Sequence, residues 1–296
     1  MDTDISHRAS TMLGNRRYSD GPLAIGVCGA TLWQSHAPTK SEPSLYNPLL
    51  CLTLVGEKEV ECGALSVRCS EGNAVLVSHD LPVCYRISKA SVDRPYVALV
   101  IPLDVEMLRR LDTQIPDISR GARPSGAIAT FKAPEELVDS ASRLLALAGN
   151  DRSISLLSPI VLQELHARLL LSSQGNALRH LLWRDEASRQ VTKAIERMRS
   201  SITRPMSVTE LADSVGMSKS SLHSHFKERT GLSPGQYQKD LRLLEARRLL
   251  AESRMPISAV AFEVGYESPA QFSRDFAQKF EMPPREHRKA LIVEVT

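Results

Sequence analysis

The chain has 296 residues, 42 % apolar and 24 % charged, with a net charge of +3. That is enough for two soluble globular domains, each with its own core, and no run reads as long and pure enough for a membrane span. The five cysteines (Cys28, Cys51, Cys62, Cys69, Cys84) are odd in number, form no C-x-x-C pair and sit mostly in β-prone runs, so they read as small buried hydrophobes in a reducing compartment.

The first residues, MDTDISHRASTMLGNRRYSD, are polar where a secretory signal would be apolar, so residues 1–22 are expected to be a disordered tail and the protein cytoplasmic. Between residues 23 and 101 short β-rich runs alternate with turn residues. LLCLTLVGEKEVECG has two apolar-rich stretches around Gly56-Glu57-Lys58, AVLVS ends at His79-Asp80-Leu81-Pro82, and VCYRI and YVALVI follow. With no helical crossover between them, these strands predict a small barrel or sandwich. His79, Cys84, Tyr85 and Arg86 flank an apolar run and are the candidates for binding a small-molecule effector, Cys84 being the thiol to test for redox or aldehyde sensing. His36 and His79 stand apart, with no H-x-H and no Glu at ligand spacing, so no metal and no cofactor are expected.

From Pro134 the texture turns helical. EELVDSASRLLALA is one segment of period 3.6, and Pro159, with Ser158 as N-cap, is expected to open a second through IVLQELHARLLL. Its leucines, among them Leu162, Leu165 and Leu169, exceed one buried stripe; a dimer seam and packing onto the barrel both account for them. After the loop at residues 172–176 everything reads as helix. Residues 181–296 carry 19 Lys and Arg against 15 Asp and Glu, a mild tilt toward a polyanion partner at this end.

In SVTELADSVGMSKSSLHSHFKERTG (207–231), Ser207 and Glu210 have capping-box spacing, Leu211, Ala212 and Val215 form an inner face, and Gly216 lets the chain turn. Ser218 caps a second helix whose Leu222 and Phe226 face the first, leaving Ser220, His223, Ser224 and Lys227 outward. This is a helix-turn-helix layout. It recurs: Val215-Gly216 as Val264-Gly265, Ser218 as Ser268, Leu222 as Phe272, Phe226 as Phe276 and Pro234 as Pro284. QYQKDLRLLEARRLL joins the units as one amphipathic rod. Two such units, at 207–230 and 257–280, would enter successive major grooves of one duplex.

Residues 181–296 resemble the DNA-binding domain of the AraC/XylS family of bacterial transcription regulators, on ELADSVGMSKSSLHSHFKERTGLSPGQYQKDLRLLEARRLL and VAFEVGYESPAQFSRDF. LYNPLLCLTLVGEKEV, SHDLPVCYRISKAS and RPYVALVIPLD are similar to the effector domain of one branch of that family. The resemblance implies an α+β protein of two domains: a cupin-like β-barrel with trailing helices over 23–180, for effector sensing and dimerisation, and an all-α tandem helix-turn-helix domain over 181–296. It implies a sequence-specific regulator, an activator rather than a repressor, with double-stranded DNA, a small-molecule effector, RNA polymerase and a second copy of the chain as partners and no membrane. Base contacts carry over to Ser220, His223, Ser224, Gln271, Ser273 and Arg274. Lys219, Lys227 and Arg229 are the expected phosphate contacts. Pro269 and Ala270 depart from the polar readers common in the family, and Glu281, Pro283 and His287 stand where Gly, Ser and Tyr are usual. A metal-dependent enzyme, or an adaptor with idle helix-turn-helix units, is the alternative reading.

Overall fold

The computed structural model describes residues 3–14, 19–115, 126–149, 151–179, 186–204 and 206–293. The boundary expected at residue 180 lies outside them. In the N-terminal part, β1 (Gly21–Ala24), β2 (Thr31–Ser35), β9 (Tyr96–Pro102), β4 (Leu49–Val55), β7 (Asn73–Val77) and β10 (Ile128–Lys132) form one sheet in that order. A second has the order β3 (Glu42–Tyr46), β8 (Leu81–Lys89), β5 (Glu57–Cys62), β6 (Leu65–Ser70). All these pairings are antiparallel, and among the described residues none joins the sheets. The expected barrel or sandwich is thus realised as two sheets facing each other across a shared core.

Why β4 reads as LLCLTLV follows from what lies on its two faces. Leu50, Leu52 and Leu54 point to the helices, while Cys51 points to the second sheet and the Thr53 hydroxyl donates to Cys69 Sγ at 3.1 Å. A strand buried on both faces loses the apolar–polar alternation. On β5 the alternation survives and corrects the expected turn at Gly56-Glu57-Lys58. The reversal occupies Gly56 alone, at φ +82°, and Lys58, Val60 and Cys62 all face inward. Glu57 and Glu59 face out, where Lys89 and Arg68 pair with the first and Arg68 and Arg86 with the second.

Against the outer face of the larger sheet pack α1 (Thr3–Leu13), α2 (Val105–Asp112), α3 (Glu135–Ala146) and α4 (Asp151–Leu171), followed by α5 (Gly175–Arg179). Helix α1 replaces the expected disordered tail over half of its length. Ile5, Ala9 and Leu13 recur at i, i+4 and i+8 and are buried, and burial of Ile and Leu side chains at about 1.5–3 kcal/mol each outweighs a polar average composition. The Ser142 hydroxyl on α3 also donates to Asp4 at 3.0 Å.

Pro159 does not open a helix; α4 runs through it. The proline cannot bond the Ser155 carbonyl, but both residues are exposed, on the solvent side of the helix where an unpaired carbonyl costs little. Residues Arg152–Leu171 are also long and apolar enough by composition to cross a membrane, contrary to the reading that no run approaches a span. Here Leu165, His166, Leu169 and Leu170 are fully buried, within the core that α4 shares with α2 and α3.

The C-terminal helices are α6 (Glu186–Ser200), α7 (Val208–Ser214), α8 (Lys219–Thr230), α9 (Pro234–Glu252), α10 (Ile257–Glu263), α11 (Pro269–Phe280) and α12 (Pro284–Val293). They divide between two cores. Leu211, Leu222, Phe226, Tyr237 and Leu241 belong to the core that also fills the space between the sheets, whereas Leu243, Ala246, Leu250, Phe272 and Phe276 form a separate one. Helix α9, about 28 Å long at 1.5 Å per residue, belongs to both and ties the second unit to the first.

Candidate nucleic-acid interface

Both helical units are built by the same local chemistry. The Ser207 hydroxyl accepts from the Glu210 N–H at 3.2 Å, and the Glu210 carboxylate accepts from the Ser207 N–H at 2.8 Å, which holds that carboxyl below its ordinary range. Gly216 (φ +72°) and Gly265 (φ +79°) make the two turns in the left-handed region. Ser218 then caps α8 by accepting from Ser221 N–H at 3.2 Å, and Ser268 caps α11 by accepting from Gln271 N–H at 3.4 Å. Leu222 and Phe226, like Phe272 and Phe276, are fully buried, so each second helix is fixed in rotation about its axis.

That rotation leaves Lys219, Ser220, His223, Ser224 and Lys227 exposed along α8, and Gln271 and Arg274 exposed along α11. Ser273 is half-buried and its hydroxyl donates to the Pro269 carbonyl at 2.9 Å, which occupies its only proton. Arg229 is corrected as a phosphate contact: its side chain is buried at the C-terminal end of α8, where its carbonyl accepts from Ala127 N–H at 2.7 Å. A guanidinium drawn into a domain seam is not offered to a duplex. Two cross-helix pairs, absent from the motif reading, hold α11 on α9: Lys239–Asp275 at 2.8 Å and Lys279–Asp240 at 3.2 Å. His287, in the place of the usual Tyr, meets Phe276 edge to face at 5.5 Å and so keeps α12 on the same aromatic cluster.

The outward face of α8 does not stand clear of the β domain. It forms one wall of a groove whose other wall is Ala64 and Leu65, in the turn between β5 and β6. At its base the chains approach at Gly63 and Gly231, with Ala64 N–H donating to the Gly231 carbonyl at 3.2 Å and Cys62 Sγ donating to the Thr230 carbonyl at 3.0 Å. Burial pushes the Cys62 thiol up to about 12, so it stays a protonated donor.

His79 belongs to this seam and is corrected as an effector residue. The Thr192 hydroxyl on α6 donates to Ser188 and so accepts Nε2–H of His79 at 2.9 Å, leaving Nδ1 to Ser78 at 2.8 Å. Next to it Arg199 pairs with Asp80, and the Tyr237 hydroxyl donates to the Asp80 carbonyl. Cys84 and Arg86 are corrected for a different reason. They alternate with the inward Val83, Tyr85 and Ile87 on β8, so they face out, Arg86 onto Glu59.

Tyr85 alone of the four expected residues reaches a cavity inside the fold. This cavity, about 210 Å³, lies between the sheets and is bounded by Trp33, Tyr46, Cys51, Lys58, Tyr85 and Val100 among others. Sequence reading passed over the first four and Val100. Lys58 was discoverable only as the one charged member of an inward-facing β register.

Comparison with known proteins agrees with this arrangement. The family model described as AraC-type transcriptional regulator N-terminus matches residues 26–177, and the one described as helix-turn-helix domain matches residues 211–290. The lactose operon transcription activator of Staphylococcus xylosus is 30 % identical over 104 residues, 35 % of this chain and 37 % of that one. The regulator GbdR of Pseudomonas aeruginosa is 33 % identical over 112 residues, 38 % of this chain and 30 % of that one. The matches therefore span only about a third of the length of these curated relatives. An apo variant of ToxT from Vibrio cholerae shares the fold over 92 % of this chain and 100 % of its own, with a TM-score of 0.58 at 12 % identity. With the N-terminal model alone spanning over half of its length, the chain belongs to the AraC-type transcriptional regulators.

Proposed function

We propose that this chain is a cytoplasmic transcription regulator that binds a two-part DNA site, activates transcription with RNA polymerase and is switched by a small molecule taken up in its β domain. The observation that carries the reading is the pair of capped, rotationally fixed helices α8 and α11, both with exposed polar side chains and both seated on the single rod α9. Ser220, His223, Ser224, Gln271 and Arg274 are the base readers on this reading, and Lys219 and Lys227 the phosphate contacts. Ser273 contributes less, its proton being held by the helix backbone. Arg274 matters most, since Arg can make a bidentate pair with a guanine edge that discriminates by about 1–3 kcal/mol.

Selection of genomic DNA fragments by the full-length protein at a fixed salt concentration tests this. The expected motif has two parts about 34 Å apart, one duplex turn, and Arg274→Ala relaxes base preference in one part only. Enrichment unrelated to any sequence, or a motif unchanged by the substitution, rejects the paired-groove reading.

A further inference from the structure

We propose that the cavity between the two sheets is a binding site for a compact organic carboxylate with a flat apolar body, its negative charge met by the Lys58 ammonium. This deepens the reading of an effector-controlled regulator and rests on it.

Lys58 is 9 % exposed, and its side chain enters the cavity from the inward face of β5. Its Nζ lies 4.5 Å from the ring centre of Tyr85 and 5.0 Å from that of Tyr46. Among the described residues no carboxylate comes within 4.0 Å of it: Glu57 and Glu59 lie on the opposite face of the same strand, committed to Lys89, Arg68 and Arg86. Two ring faces return part of the hydration that the ammonium gives up, but neither supplies a counter-charge. An anion in the cavity does.

A second donor points to the same class. The Tyr46 hydroxyl is buried and has no hydrogen-bond partner among the described residues, and burial raises its pKa well above the ordinary value, so it stays protonated and able to donate. The Tyr85 hydroxyl is already committed to Glu42 at 3.0 Å, which leaves that ring as a wall. One ammonium and two hydroxyls, the second being the buried Tyr96 hydroxyl on the same wall, suit the oxygens of a carboxylate, whereas a dianionic phosphate would leave one charge with no cation to meet it. Trp33, Leu49, Cys51, Ala98 and Val100 supply most of the remaining lining, which is largely apolar apart from Thr31 and the buried Tyr96 hydroxyl. The volume, about 210 Å³, equals that of about seven waters at 30 Å³ each, so the ligand is small. Pro22, exposed, and Ser44, half-buried, stand at the rim and leave an opening to solvent.

Titration calorimetry on the full-length protein with benzoate, cinnamate and hexanoate, and with benzamide as the uncharged counterpart of benzoate, tests the site. The expected result is one-to-one binding of at least one carboxylate, weakened about ten-fold or more by Lys58→Met and severalfold by Tyr46→Phe, with benzoate preferred over benzamide if benzoate is the one that binds. Circular dichroism identical to wild type shows that the variants fold. No saturable binding by any of the three carboxylates up to about 10 mM, or binding unaffected by Lys58→Met, overturns the proposal. DNA binding by the same preparations separates the two failures: sequence-specific binding without carboxylate binding rejects this site and leaves the regulator reading intact.

Discussion

Glu281 closes α11 in the left-handed region, φ +58°, the conformation that Gly231 takes at φ +79° where it closes α8. An L side chain there costs about 1–2 kcal/mol, and Glu281 is exposed, so Glu281→Gly removes strain without opening a core. After the extra chain entropy of glycine, a gain of about 0.5–1 kcal/mol is expected in urea unfolding followed on the second helix-turn-helix unit; a loss would show that Glu281 makes a contact worth more than the strain. The buried His166 makes a pH prediction. Its Nδ1–H donates to the Leu162 carbonyl at 2.7 Å and its Nε2 accepts from Asp104 N–H at 2.9 Å, so the ring is neutral and burial lowers its pKa from 6.5. The unfolded chain therefore takes up the proton first. The stability due to this site is complete above pH 6.5 and is lost as pH falls from there through the lower folded-state pKa. Urea midpoints for the β domain should fall on acidification through that window, and His166→Gln should flatten that part of the slope. Ser207, Ser218, Gly216 and Gly265 could be read because caps and turns are decided within a few residues. Lys58, His79 and Arg229 could not, because each owes its role to a strand or helix far away in the chain.

At the scale of elements, the same contrast separates α8 and α11 from α1 and α4. The reading helices carry their start signals, buried stripe and polar face in one short window, and a repeat of the pattern confirms the window. Helix α1 hides three buried apolar residues among mostly polar ones, and α4 contains a proline that the local rule takes for a start. What overrides the proline is burial of Leu162, Leu165 and Leu169 on the inner face. The opposite face remains apolar in water: Leu156 is 70 % exposed, Ile160 60 % and Leu171 70 %. These residues follow one side of the helix, and we expect them to form the seam of a homodimer. Sedimentation velocity should show a dimer for the native chain and a monomer for the Leu156→Asp, Ile160→Asp double variant, with the unfolding midpoint little changed since neither side chain is in the core. A native monomer at micromolar concentration would reject the seam.

For the whole molecule, the decisive feature is that the first reading unit shares its core with the β domain while the second has its own. Anything that loosens the seam therefore acts on α8 through the shared core, and on α11 through α9 and the contact of α11 with β3. Gly63 is the place to test this. A Cβ there would lie 2.2 Å from the Gly231 carbonyl oxygen, which is backbone and already accepts the Ala64 N–H, and the residue's φ of +56° disfavours any side chain. Gly63→Ala must push the β5–β6 turn, with Ala64 and Leu65, away from the groove that they share with Ser220, His223 and Ser224. The expected result is twofold: calorimetric unfolding that is a single transition in the native chain separates into two, and affinity for the selected DNA in the absence of effector rises severalfold because the duplex no longer competes with the turn for that groove. If affinity is unchanged while the transitions separate, the seam stabilises the fold without restraining α8, and effector control must pass by another route.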